Sequence, residues 1–489
     1  NAPNKFASAG QAVTIDQWNR KALRMRLRLK HSVLFALLCL WSGAAAHAEG
    51  YDPLGTEAEL PLKPAVRIGG ALGGPCADAK PDHALDLMEI VNLALCSNPQ
   101  TREIWASARV QAAQLGVSRG SYLPSVSLSV SDNRNGAAQR SYGLTLSYLL
   151  YDFGTRAANL ENARQLFAAA SATRDNVVQS IFLAAVRAFY QAQATRAALD
   201  AAQESERAAK QSFSAAEARY QAGSATPADK LQAQTAWSQA TLNRITAEGN
   251  LGKANGGLAN IIGLEPNHRV VLDTENSGSI PVNFERDVNS LIAEAKQRRP
   301  DLIAAEAQVK AAEASADAAR AAGKPSLSLT TTTTLVQSGG TNSRGSSVGV
   351  NLSVPLFSGY GPTYRIRAAE AQVEAQQAQK ERLSLQVALD VWNAYQDLIT
   401  ATQSLRTTAD LLNSAEQSWR VALGRYQAGV GSMLDVLTAQ SALASARGQR
   451  IQSTLNWNVS RATLAQAMGT LDESLLQTLS PAVSHQEQP

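Results

Sequence analysis

The hydrophobic and polar positions of this chain switch between two periods, and the switches come in the same order twice. Val126, Leu128 and Val130 alternate with Ser125, Ser127 and Ser129. After the polar turn 131–140, Tyr142, Leu144, Leu146, Tyr148 and Leu150 alternate again. Leu327, Leu329 and Leu335 share a face, and beyond the Gly/Ser/Asn-rich turn 336–347 come Val348, Val350, Leu352, Val354 and Leu356. Period two over about ten residues predicts strands joined as hairpins, 122–151 and 325–357. That length suits strands of a membrane barrel, and it equally suits a half-buried hairpin in water. Tyr148, Tyr151, Phe153, Phe357 and Tyr360 at the strand ends favour the membrane, where aromatic girdles mark the interfaces. Four strands cannot close a barrel, because the smallest have eight and an open edge in lipid is prohibitive. Membrane strands here therefore require oligomerisation, and three copies give twelve.

Each hairpin leads into a helical pattern, 155–219 and 362–425, free of internal Gly and Pro beyond the first residues until Gly424. Leu160, Phe167, Ile181 and Ala188 lie on one seven-residue series and Ala163, Ala170, Val177 and Ala184 on another. Ile366, Val373, Val387 and Ala394 repeat the first, with Arg174 and Lys380 as its odd members. Sustained heptads predict supercoiled helices, and roughly 60 residues at 1.5 Å each make a rod of about 90 Å.

The two patterns are copies. Arg-Tyr-Gln-Ala-Gly stands at 219–223 and at 425–429, Asp229 matches Asp435, and Gly263 matches Gly469, every pair 206 apart (425 − 219). Each copy reads as the turn of a helical hairpin. Arg219 and Tyr220, like Arg425 and Tyr426, fall in the last turn, and Gly223 or Gly429 supplies the positive φ that ends the helix. Thr226–Asp229 and Ser432–Asp435 then fit capping boxes that start the return helices, 226–258 and 432–468. The chain divides into an upstream extension and leader 1–48, an extended segment 49–85, a first repeat 86–290 and a second repeat 291–489. Each repeat runs helix, strand hairpin, long helix, tip turn and return helix. The first ends in the Pro-containing connector 263–290 and the second in a polar tail.

Charge changes the picture only at the start. Seven of the 45 Lys/Arg and one of the 41 acids lie in residues 1–48, leaving 38 against 40, which gives no support to a nucleic-acid partner. Met25-Arg-Leu-Arg-Leu-Lys30, the apolar run Ser32–Trp41 and Ala46-His47-Ala48 read as a secretory signal cleaved between Ala48 and Glu49. Residues 1–24 precede its logic. An exported chain makes pairing of Cys76 with Cys96 plausible as a local staple, with two separate thiols as the alternative.

With these residues in hand, the chain resembles the TolC-like outer-membrane factor family over nearly all of its length after the signal. The specific marks are the duplicated Arg-Tyr-Gln-Ala-Gly with Asp six residues after the Gly and the Pro-Ser-(Val/Leu)-Ser-Leu strand starts at 124 and 325. The Leu-Tyr-Asp-Phe-Gly and Pro-Leu-Phe-Ser-Gly turns join them. The resemblance implies an α+β membrane protein: long antiparallel helical hairpins and two β-hairpins, internally duplicated. It implies a homotrimer whose twelve strands form a barrel in outer-membrane lipid, continued by a periplasmic helical tunnel. It also implies docking to a periplasmic adaptor protein and an inner-membrane ABC transporter. Within the family the chain is similar to components of type I secretion that export an RTX adenylate-cyclase–haemolysin toxin, with drug efflux as the alternative service.

Carried over residue by residue, 219–229 and 425–435 become the periplasmic tip, where Arg219, Tyr220, Gly223, Arg425, Tyr426 and Gly429 would meet the adaptor. Asp229 and Asp435 become either constriction residues of the tunnel mouth or the helix caps already described. Two departures stand out: the Arg that ties the closed mouth in well-known members is Gly431 here, and a second acid is Thr438. No catalytic residue, cofactor or metal is expected. Beyond the signal only His83, His268 and His485 remain, without ligand spacing, and no phosphate-binding or nucleophile motif is present. An exported coiled-coil rod that forms no channel is the remaining alternative, and it leaves the four strands unexplained.

Overall fold

The computed structural model describes residues 52–60, 83–133, 139–268, 270–273, 287–338 and 340–471. The expected signal with Ala48 and Glu49, the upstream residues, Cys76, and parts of the loops, connector and tail lie outside them. Cys96 is disulfide-bonded. Residues cluster into two units, Asn1–Gly55 and Thr56–Pro489, and the second holds both copies of the duplication.

Its elements come in two series. The first is α1 (Leu87–Ser97), α2 (Pro99–Gly120), β1 (Ser125–Asn133), β2 (Gln139–Tyr151), α3 (Thr155–Gln221) and α4 (Pro227–Ile261). The second is α5 (Val288–Arg298), α6 (Pro300–Ala321), β3 (Ser326–Ser338), β4 (Thr341–Ser353), α7 (Gly361–Gln427) and α8 (Met433–Ala467). The long helices α3 and α7 have 67 residues each, roughly 100 Å, and the return helices 35. Among the described residues no helix is long and apolar enough to cross a membrane.

Local chemistry sets the boundaries. Asp86 closes a capping box with Glu89, and the Asn98 side chain caps α2 with Pro99 at its first position. Pro300 opens α6 without a side-chain cap, and α1 and α5 each end at an extended residue, Asn98 and Arg299, in an abrupt bend. At the strand-to-helix junctions two consecutive residues take the left-handed conformation: Phe153 and Gly154 before α3, Gly359 and Tyr360 before α7. The aromatic and the glycine exchange places between the copies. Each aromatic packs edge-on against a neighbour, Phe153 on Tyr151 at 4.7 Å and Tyr360 on Phe357 at 5.7 Å.

The four strands form one antiparallel sheet in the order β1-β2-β3-β4, so the two hairpins pair through β2 and β3. Register sorts the faces. One face carries the rows Val126–Leu146–Thr331–Val348, Leu128–Leu144–Thr333–Ser346 and Val130–Tyr142–Leu335–Arg344, with Tyr148, Leu329 and Val350 below. Along β2 its apolar stretch from Tyr142 to Tyr151 is about 30 Å, or about 23 Å in height at the usual strand tilt, close to the apolar band of a membrane barrel. The polar row Asp132–Arg140–Gln337–Asn342 bounds it at the loop end. On β1 and β4, the sheet's two edges, the apolar side chains are largely exposed.

The helical core forms where the short helices meet the long ones. Ile90, Val91, Ala94 and Leu95 of α1 pack on Ile181, Phe182 and Val186 of α3, with Leu258 and Ile262 at the end of α4. The second copy uses Leu291 and Ala295 of α5, Val387, Val391 and Leu398 of α7, and Trp457 and Leu464 of α8. Gly263 and Gly469, both with positive φ, end the return helices against the ends of α1 and α5. A Cβ on Gly263 would lie 2.6 Å from the Ser97 carbonyl oxygen, so this contact admits only glycine. Buried alanines of α6, among them Ala304, Ala307 and Ala311, let it lie close to α3, where Asn162 donates to the Ala311 carbonyl at 2.7 Å. Arg174, the odd heptad member, is buried all the same: its guanidinium pairs with Asp175 at 2.6 Å and lies over the Trp105 ring at 5.6 Å.

Candidate functional site: the two hairpin tips

At the tip of each helical hairpin the backbone closes as a Schellman motif. In the first copy Gly223 N–H donates to the Tyr220 carbonyl at 3.0 Å and Ser224 N–H to Arg219 at 2.9 Å. In the second Gly429 N–H donates to Tyr426 at 3.0 Å and Val430 N–H to Arg425 at 3.0 Å. Both glycines have positive φ, 73° and 82°, as this cap demands.

The return helices start in capping boxes. Thr226 N–H donates to the Asp229 carboxylate at 3.0 Å and its hydroxyl donates at 2.8 Å, while Asp229 N–H donates back to the Thr226 hydroxyl. Ser432 N–H donates to Asp435 at 3.3 Å, and Asp435 N–H donates to the Ser432 hydroxyl at 3.1 Å. The Ser432 hydroxyl and then its N–H hold the Asp435 carboxyl below its ordinary range, with Arg425 adding to the effect. Both acids are therefore caps in this structure.

The two tips differ where they touch. Tyr426 is 5 % exposed and packs with Ala216 and Ala233 of the first hairpin and Met433 and Val436 of the second, whereas Tyr220 is 41 % exposed. Arg219 reaches across: Nη1 donates to the Tyr426 carbonyl at 2.8 Å, and the guanidinium carbon lies 4.7 Å from the Tyr426 ring centroid. The Tyr426 hydroxyl is buried and makes no hydrogen bond of ordinary geometry. Burial pushes this phenol up, and the Asp229 carboxylate adds to the rise while the Arg219 guanidinium opposes it. Reading Arg219 from local sequence suggests only a cation at a helix end; its partner lies in the other repeat, beyond any local signal.

Gly431 sits under the same contact, and a Cβ there would stand 3.1 Å from both Arg425 Cβ and the Tyr426 nitrogen. The pin between hairpins comes from Arg219 of the first repeat, and a larger residue at 431 would need its backbone neighbours to give by a few tenths of an ångström. Further up, Arg447 pairs with Glu204 at 2.9 Å and Gln440 donates to the Ser205 carbonyl, so α8 leans on α3. The second tip presents large aliphatic side chains where the first has small ones: Val430 is 70 % and Leu434 62 % exposed, at the positions of Ser224 and Ala228.

The sequence profile of the family described as "Outer membrane efflux protein" matches residues 90–264 and 291–470. Protein CyaE of Bordetella pertussis is 33% identical over 464 residues, covering 90% of this chain and 96% of that protein. Outer membrane protein TolC of Vibrio cholerae is 25% identical over 406 residues, 80% of this chain and 92% of that one. Among solved structures, a membrane protein from Pseudomonas aeruginosa superposes with a TM-score of 0.71 at 23% identity, covering 78% of this chain and 93% of that one. The helix and strand series, its duplication and these matches agree: the chain belongs to the TolC-like family of outer membrane efflux proteins, channels of the outer membrane with a large periplasmic helical portion, and is not an enzyme.

Proposed function

We propose that this chain is the outer-membrane channel-tunnel of a tripartite type I secretion system and passes a protein toxin of the RTX adenylate-cyclase–haemolysin type directly to the exterior. One observation carries the channel: a four-stranded sheet with two open edges and an apolar face, joined to helices of about 100 Å. In lipid the unpaired groups of β1 and β4 must find partners, and pairing β1 of one copy with β4 of the next closes twelve strands from three copies. The helical hairpins of the same three copies then enclose a tunnel that ends at the tips.

The mechanism needs no chemistry from this chain. An inner-membrane ABC transporter supplies the energy, and a periplasmic adaptor meets the tips, with Val430 and Leu434 as apolar contacts beside Tyr220 and Arg425. The Arg219–Tyr426 pin holds the two hairpins of one protomer together, so parting them widens the mouth. Similarity to CyaE over most of both chains supports secretion. The family's description favours a second reading, efflux of small molecules.

The test is to supply the chain, in cells lacking their own outer-membrane factors, together with an adaptor and ABC transporter of RTX toxin secretion. Toxin in the medium without periplasmic intermediate supports secretion. Retained toxin combined with restored drug resistance, when an efflux transporter is supplied instead, overturns it in favour of efflux.

A further inference from the structure

The second face of the sheet points to a property that the proposed channel would have. Its rows are Ser125–Ser147–Thr330–Gly349, Ser127–Thr145–Thr332–Ser347, Ser129–Gly143–Thr334–Gly345 and Ser131–Ser141–Val336–Ser343. Leu149 and Val336 are its apolar members among these rows and their continuation to Ser328 and Asn351; every other position is Ser, Thr, Gly or Asn. Among the described strand residues no charge falls on this face. Asp132, Arg140 and Arg344 all stand on the opposite, apolar face at its loop end.

The hydroxyls are short, and several of them bond within their own sheet. Ser131 and Ser141 hydroxyls lie 2.7 Å apart, Thr145 and Thr332 3.4 Å, and the Ser129 and Ser125 hydroxyls donate to the Gly143 and Ser147 carbonyls. Since lipid takes the apolar face, this face lines the water-filled side. Charged rings are what give a pore its preference for one sign of charge, and long charged side chains are what would hold a passing chain in ion pairs. Among the described strand residues of this face neither is present.

We infer that the barrel end of the conduit is an uncharged, hydroxyl-lined surface that passes an unfolded polypeptide without regard to the sign of its charge. This rests on the channel reading above. It differs from a generic barrel in a definite way: a polypeptide with acidic and basic stretches meets the same potential along the whole strand length.

The experiment reads that potential with single cysteines in intact outer membranes. Ser347→Cys on the polar face and Val350→Cys on the apolar face are treated with a cationic and an anionic methanethiosulfonate. Rates are corrected for the chain without the new cysteine, and their ratio is divided by the ratio for free cysteine. At position 347 the normalised ratio should lie within about twofold of one. Gly349→Lys or Gly349→Asp, placed where a Cβ meets nothing within 4 Å and φ is unstrained, should move that ratio about threefold or more in opposite directions. A ratio at Ser347→Cys displaced tenfold either way, with Val350→Cys unreactive, leaves the channel standing and overturns the neutral lining. If Val350→Cys reacts as fast as Ser347→Cys, the face is not enclosed and the channel reading fails as well.

Discussion

Replacing Arg219 by alanine removes two interactions that join the hairpins of one protomer: the Nη1 bond to the Tyr426 carbonyl at 2.8 Å and the guanidinium stacked 4.7 Å from the Tyr426 ring. A charged donor bond is worth about 1.5–3 kcal/mol and a cation–π contact about 0.5–2 kcal/mol, and the site is only partly buried. Taking the lower part of each range gives about 2–3 kcal/mol per protomer, or about 30- to 150-fold in the balance between joined and parted tips. Arg219→Lys keeps the charge but loses the planar stack, and should fall between the two. Tyr426→Phe is the informative control. Its hydroxyl is buried with no hydrogen bond of ordinary geometry, so removing it should not loosen the tips and should favour the joined state slightly, by about 1 kcal/mol or less. Hydrogen exchange across 425–435 and the fraction of channels in a high-conductance state both report the balance. Should Arg219→Ala leave both unchanged while Tyr426→Phe shifts them toward parted tips, the phenol and not the guanidinium holds the tips, and the pin is wrong.

Three more outcomes rest on single contacts. The Asp435 carboxyl is held low by Ser432, so the stability its cap contributes is present above the ordinary carboxylate range and lost as pH falls through its depressed value; exchange in the first turn of α8 should quicken in acid in the native chain and show no such step in Asp435→Asn. Tyr360→Gly relieves a left-handed non-glycine residue and should raise stability by about 1 kcal/mol in the detergent-solubilised protein, with a lower Tm contradicting the strain. Gly263→Ala meets the Ser97 carbonyl at 2.6 Å with φ at 79°, and should cost about 2 kcal/mol or more, seen as a fall in Tm that Gly257→Ala, with no neighbour within 4 Å, does not share.

What the sequence made legible was whatever repeats or alternates. The spacing of 206 between Gly223 and Gly429 recurs between the starts of α3 and α7 and of α4 and α8, while α1 and α2 lie 201 from α5 and α6, so the second copy is longer, mostly in the junction between its last strand and its long helix (Ser353 to Gly361 against Tyr151 to Thr155). The sheet faces follow from period two, and the capping boxes from Thr226–Asp229 and Ser432–Asp435, because each rests on neighbours a few residues apart. The Arg219–Tyr426 contact joins residues 207 apart, and no local pattern announces it. Arg174 shows the same limit: heptad counting marks it as an interruption, and only the packed structure gives it Trp105 and Asp175 as partners. The left-handed pair at Gly359–Tyr360 stayed hidden because its glycine stands one place earlier than in Phe153–Gly154.

The central claim is that three copies close one conduit, and single-channel recording of the purified protein in planar bilayers tests it most directly. Discrete steps from a species of three times the chain's mass, larger on average in Arg219→Ala, are the predicted result. Correctly inserted, folded protein that gives no steps, or conducts as a single copy, would contradict it.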